Sequence, residues 1–240
     1  MEQSIVNDIV LESLKGLEKI KRQEMSFPKL LSKCNPYELC VNCDTIECLV
    51  DFVLSNHKQT SSKTIWGNYL ETIALNISKL TIDGYKSKEE CTDIEWISDG
   101  LKHYRGWKSS PKWCNADQKR AANLKQNELK NNSDFGSFKI LTSYGKTTEN
   151  RNKNNFPQLS GQDAWKDIDP NDDKLYDKVM ISINNNSKVI GLFLESIYIS
   201  DKGKIITWMK DNFLNNDNTI NFIKINKYVS SRDNITITEW

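Results

Sequence analysis

Thr92–Arg120, TDIEWISDGLKHYRGWKSSPKWCNADQKR, reads as two strands joined by a tight turn, then a loop and the start of a helix. Asp93 and Glu95 are two residues apart, so on an extended strand they project from one face. Ser98-Asp99-Gly100 supplies the turn. Leu101 to Lys108 then runs extended, and its alternation puts Lys102, Tyr104, Gly106 and Lys108 on one side. Folding the second strand onto the first can bring Lys108 to the two carboxylates. Two acids and a lysine form a set suited to metal-dependent phosphodiester hydrolysis. Carboxylates hold Mg²⁺, which keeps several of its waters; the ion polarises phosphate and acidifies water; a lysine orients that water or offsets developing charge. The same letters also describe a solvated hairpin edge.

Around this stretch the chain is ordinary in composition. Its 240 residues suffice for a sizeable core, with 38% hydrophobic and 27% charged residues. It contains no run of 18 apolar residues, and Met1–Leu14 lacks the pattern of an export signal; the expectation is a cytoplasmic protein with no membrane contact. The net charge of +1 hides an uneven distribution. From Lys102 to Lys130 eight Lys/Arg face only Asp117 and Glu128, which suits a polyanion such as DNA, although Lys119–Lys130 also fits a solvated helix face. Six cysteines stand at 34, 40, 43, 48, 91 and 114. Cys40 and Cys43 suggest zinc, but no second CxxC follows, so reduced thiols on buried helix faces are expected.

Apolar residues from Ile5 to Ile20 recur at helical spacing. Pro28 and Pro36 break Phe27–Leu39 into a kinked link or short helices. Two further helices are expected over Thr45–Ser55 and Thr64–Leu80, separated by a polar loop at Gln59–Lys63. Gly67 is read as permitting close packing, and Glu71 sits at the edge of the apolar stripe. Asn115 and Gln118 resemble a capping box opening a helix to about Lys130. Ser137–Tyr144 is strand-like, and Gly145–Asn155 is a polar, basic loop. Helical segments are expected at Gln162–Trp165, Lys174–Ser187, Ile205–Phe213 and Ile220–Val229; Ile190–Ile199 fits either a strand or a helix, and Asn234–Trp240 is strand-like. No convincing domain boundary is visible.

This order of elements resembles the core of the PD-(D/E)xK nuclease superfamily, and in particular type II restriction endonucleases that cut interrupted palindromes of the GGNCC kind. GNYLE at Gly67–Glu71, DIEW, WKSSPKW, Gln118 and ILTSYGKT carry the resemblance, which runs in order from about Ser26 to Asp173. It implies an α/β fold with a restriction-endonuclease-like core, a mixed central β-sheet flanked by helices, and an α-helical N-terminal part. The chain is then one domain: a helical lead-in at 1–63, a catalytic core at 64–145, and DNA-recognition and dimerisation elements at 146–240. The implied activity is Mg²⁺-dependent double-strand cleavage at a short palindrome, with CTNAG as one possible interrupted site. The implied partners are double-stranded DNA, a second copy of the chain and, genetically, a cognate DNA methyltransferase.

Carried over residue by residue, the first metal-binding acid falls on Asp93 or Glu95 and the catalytic lysine on Lys108. The family usually places an acid or glutamine two residues before that lysine, where this chain has Gly106. The missing carboxylate is then expected from Glu95 or from Glu71, filling a volume left empty at Gly106. His103 falls on the opposite strand face. Lys112, Gln118, Lys119, Lys146, Arg151 and Lys153 are candidate DNA contacts, to base edges or to phosphates. Three other readings share parts of this pattern: a repair-type or non-specific nuclease, a DNA-binding protein without catalysis, and a zinc-dependent interaction module.

Overall fold

A computed structural model of the chain describes residues 1–15, 17, 26–110, 113, 115–146, 156–197, 201–230 and 237. The elements run α1 (Gln3–Lys15), α2 (Phe27–Leu31), α3 (Pro36–Asn42), α4 (Ile46–Thr81), β1 (Tyr85–Lys86), β2 (Ile94–Ser98), β3 (Leu101–Lys108), α5 (Ala116–Leu129), β4 (Phe135–Thr142), β5 (Gln158–Ser160), α6 (Gln162–Ile168), α7 (Leu175–Asn185), α8 (Ser187–Ile197), α9 (Lys202–Phe213) and α10 (Phe222–Ser230). They form two compact units, one of Met1–Glu18 with Ile65–Phe193, the other of Lys19–Thr64 with Leu194–Trp240.

The first unit holds a five-stranded mixed sheet in sequence order. Strands β1, β2 and β3 pair antiparallel, while β3, β4 and β5 pair parallel. The β2–β3 hairpin turns on Asp99 and Gly100, both with positive φ (51° and 76°). A two-residue turn of that kind matches the natural twist of the strands and sets Glu95 opposite Tyr104. The parallel β3–β4 pair needs a crossover, and α5 provides it. Its start is fixed by a complete capping box: Gln118 N–H donates to the Asn115 side chain, and Asn115 N–H donates back to Gln118 Oε1. Ala122 and Leu129 of α5 cover Tyr104, Phe138 and Ile140 of the sheet in one core cluster.

On the other side of β3, Trp107 is buried edge-on against Trp165 of α6, with ring centroids 4.8 Å apart. Trp107 Nε1 donates to Ser143 Oγ and Trp165 Nε1 to the Ser143 carbonyl, so both indoles are satisfied where apolar packing would otherwise strand their N–H groups. Ile65, Tyr69, Ile73, Ala74 and Ile77 form the buried stripe of α4 in this unit, and the Tyr69 hydroxyl donates to the Val10 carbonyl of α1 at 2.8 Å. The second unit has its own core, in which Phe27, Leu31, Leu39, Leu49, Val50 and Val53 pack with Trp208, Met209 and Phe213.

Several local expectations change. Gln59–Lys63 is not a loop, because α4 is one continuous helix of 36 residues. The polar run QTSSK contains neither Pro nor Gly, so nothing in it breaks the backbone hydrogen bonds. Ile190–Ile199 resolves in favour of a helix, α8, as far as Ile197. An added Cβ at Gly67 would meet only Ser109 Cβ at 3.9 Å, an ordinary contact, so close packing is not what that glycine provides. The short strands β1 and β5 carry no periodic signal. The strand-like Asn234–Trp240 lies outside the described residues except for Ile237.

Candidate active site

Asp93 enters the sheet just ahead of β2, with its N–H on the Arg105 carbonyl at 2.7 Å. Its carboxylate reaches β3: Oδ2 accepts the Trp107 N–H at 2.7 Å and the Lys108 ammonium at 3.1 Å. Burial of the Trp107 indole on one face therefore points Gly106 and Lys108 toward the other, where Asp93 waits. The ring of Trp113 lies 6.0 Å from Lys108 Nζ and completes this corner. A backbone amide and a lysine on one carboxylate oxygen hold it in a single orientation.

The volume at Gly106 is not empty. A Cβ there would sit 2.5 Å from the Cys91 carbonyl oxygen and 2.6 Å from Ile140 Cδ1. Cys91 adopts positive φ (61°), and the Cys91–Thr92 link turns its carbonyl over the strand. A glycine is required at this point by the close approach of another backbone. Gly106→Ala should cost roughly 1–3 kcal/mol of stability, as overpacking of a dense core does. Urea denaturation measures this, and an unchanged midpoint would show that Cys91 yields freely. A glutamate at 106 would have to displace the Cys91 carbonyl and Ile140 before its carboxylate could approach Asp93.

The second acid beside Asp93 is Glu71. One turn after Gly67 on α4, it lies half-buried at the border of the stripe that Tyr69 and Ile73 bury. Between it and Asp93 stands Lys86 of β1, whose Nζ is 2.5 Å from Glu71 Oε1 and 3.3 Å from Asp93 Oδ1. Burial works against the Lys86 charge, but its hydrogen bond to Glu71 and the charges of both acids outweigh it and raise its pKa above the ordinary lysine value. Lys86 was not anticipated from sequence.

Glu95 points elsewhere. It is 8% exposed and accepts the Tyr85 hydroxyl at 2.8 Å and the Ser87 hydroxyl at 3.1 Å; Ser87 in turn accepts from Thr92 at 2.6 Å. Asp93, Glu95 and Glu71 do not converge: among the described residues, no three His, Cys, Asp or Glu side chains gather as a metal-binding group. Glu95 instead fastens β1 to β2 through the residues on either side of Lys86. The donors that do face one another, Glu71 and Asp93, are hard carboxylate oxygens with a cation already seated between them. Such a pair fits a Mg²⁺ ion that takes few protein ligands and fills its shell with water.

A sequence profile of the Type II restriction endonuclease EcoO109I family matches residues 3–190, more than three quarters of the chain. The chain belongs to this type II restriction endonuclease family. No curated protein matches it. The mixed sheet flanked by helices is consistent with a restriction-endonuclease-like fold, and the match covers Glu71, Lys86, Asp93 and Lys108 alike.

In this restriction endonuclease family member the candidate DNA-contacting residues are spread over several segments. Lys119 is exposed on the first turns of α5, and Lys146 is exposed after β4. Gln118 has its Oε1 committed to the helix cap. Lys112, Arg151 and Lys153 lie outside the described residues. His103 is on the opposite sheet face from Lys108, stacked on Trp96 at 5.2 Å with Nδ1 against Ser137 Oγ. Cys40 is exposed while Cys43 is buried, so that pair does not converge as a CxxC ligand set. No helix among the described residues is long and apolar enough to cross a membrane.

Proposed function

We propose that this protein makes Mg²⁺-dependent double-strand cuts at a short palindromic DNA site, interrupted as in CTNAG-type sequences, with Glu71, Asp93 and Lys108 at the reacting phosphodiester. The observation that carries the reading is the joint hold of Trp107 N–H and Lys108 on Asp93, with Glu71 facing the same carboxylate. Mg²⁺ held by Glu71 and Asp93 would supply polarisation of the scissile phosphate and acidification of a water. Lys108, paired with a carboxylate, donates; its role is to orient that water and offset charge as the phosphate becomes five-coordinate. Asp93 positions Lys108 as well as binding metal. The Trp107 indole, buried behind the strand, keeps both groups from drifting.

A palindrome is matched by a two-fold pair of subunits, so the active species is a homodimer, working beside a methyltransferase that protects the same site. Lys119 and Lys146, with Lys112, Arg151 and Lys153, are assigned to DNA. Incubating the protein with phage DNA and Mg²⁺ and sequencing the fragment ends tests this reading. Discrete ends at one sequence support it, a smear indicates a non-specific nuclease, and no cleavage despite salt-dependent binding indicates a non-catalytic DNA-binding protein.

The source of the second acid can be tested separately. Glu71→Gln should slow cleavage by at least about a hundredfold, as loss of one preorganised charge does, with DNA affinity in Ca²⁺ falling far less than the rate. Glu95→Gln should keep its cleavage rate within a few-fold and instead lose about 1 kcal/mol of stability, the worth of one hydrogen bond. The reverse ranking in single-turnover assays would return the role to Glu95.

A further inference from the structure

Lys86 stands where two acids would share a metal ion. Its Nζ is within ion-pair distance of both Glu71 and Asp93, and among the described residues no other side chain pairs with both of those carboxylates. The position is built rather than incidental. Lys86 belongs to a strand only two residues long, and the hydroxyls of its neighbours Tyr85 and Ser87 both donate to the buried Glu95. Lys86 lies opposite Ile94 in the sheet register, and the Ser87 N–H donates to the Asp93 carbonyl at 3.2 Å, which holds the backbone beside it. Yet the side chain is 52% exposed, so it can leave its partners without unpacking a core. A half-exposed cation, on a strand pinned at both flanks, is seated on two carboxylates.

We propose that Lys86 is a resident counter-ion of the active site, competing with the divalent metal for Glu71 and Asp93 and handed over to a DNA phosphate when substrate arrives. The proposal rests on the reading of Glu71 and Asp93 as metal ligands. Two facing carboxylates without a cation repel each other, and Lys86 removes that repulsion in the free protein. A divalent ion entering between them must displace the ammonium, so free protein binds metal weakly. A phosphodiester brought to Asp93 and Lys108 offers the ammonium a new anionic partner and releases the acids. Metal loading is thereby coupled to DNA binding, and by linkage the coupling acts in both directions.

The test is calorimetric titration of Ca²⁺ into the full chain, with and without a duplex carrying its site, comparing wild type with Lys86→Met, Lys86→Gln and Lys86→Arg. Without DNA, both neutral variants should bind Ca²⁺ roughly tenfold tighter than wild type, within the usual range of coupling between sites, while Lys86→Arg stays close to wild type. On the DNA complex the advantage should disappear. A merely structural role for Lys86 predicts weaker binding on substitution, never tighter. Equal, weaker or undetectable Ca²⁺ binding by both neutral variants overturns the competition, and a gain that persists on the DNA complex overturns the hand-over to phosphate. Asp93→Asn separates this from the underlying reading: if it binds Ca²⁺ as tightly as wild type, the carboxylate site itself is wrong. If Asp93→Asn loses Ca²⁺ while the Lys86 variants gain nothing, only the role of Lys86 fails.

Discussion

Asp93→Asn should reduce DNA cleavage by about three orders of magnitude, because in the proposed site it removes a charge that would hold the metal and that pairs with Lys108. The amide keeps one oxygen, which can still accept the Trp107 N–H now held at 2.7 Å, so the strand junction survives. Lys108 loses its ion pair and with it the fixed direction of its ammonium. Specific DNA binding measured by anisotropy in Ca²⁺ should fall far less than turnover, since the lost interactions act chiefly in the transition state. Circular dichroism and a plasmid-nicking assay settle the matter together. A folded variant that cuts at the wild-type rate removes Asp93 from the chemistry.

Asp167→Ala should be strongly destabilising although Asp167 lies apart from the candidate site. Arg105, 3% exposed on β3, pairs through Nε with Asp167 of α6, donates to the Tyr104 carbonyl and Ser137 Oγ, and lies 4.4 Å over the Trp96 ring. Lys139 of β4 reaches the other oxygen of Asp167 at 2.5 Å. Burial pulls the Arg105 pKa below its ordinary value, yet an arginine so close to a carboxylate stays cationic at neutral pH. Removing Asp167 leaves that cation buried without its counter-charge, at a cost of about 3–5 kcal/mol; replacing both partners with apolar residues should recover much of it. Urea unfolding of the two single variants and the pair measures this. A loss below about 1 kcal/mol would mean the pair behaves as an exposed ion pair.

Acid should expose the same pair. Burial alone would raise the Asp167 pKa, but the Arg105 charge, its hydrogen bond and Lys139 prevail and lower it. A carboxylate depressed on folding contributes stability above its unfolded pKa of about 4 and loses it as pH falls through the folded value. The difference in stability between wild type and Asp167→Asn should therefore be constant at neutral pH and shrink only well into the acid range.

How far the site could be read from sequence depended on whether each contact was local. The Asp99-Gly100 hairpin and the Asn115–Gln118 cap are local, and both were legible. The approach of Lys108 to Asp93 followed from the hairpin. Glu95 misled because strand periodicity fixes the face of a side chain, not its direction, and the Tyr85 and Ser87 hydroxyls draw its carboxylate away. Glu71 was legible as a position at a helix edge and as one of two candidates for the missing acid, but no local contact singled it out. Lys86 gave no signal, since a two-residue strand has no period. The division into two units was hidden because the crossings at Thr64/Ile65 and Phe193/Leu194 fall inside continuous helices, where no turn residue marks them.

The crowding at Gly106 also carries a consequence for descent. The Cys91 carbonyl lies where even a methyl group at 106 would need to go, and Ile140 closes the space from the other side. A single substitution at 106 meets that crowding at once, and room for a longer side chain requires the Cys91 bend and Ile140 to shift as well. The glycine is a ratchet: with it in place, a carboxylate at this strand position calls for two coordinated changes rather than one.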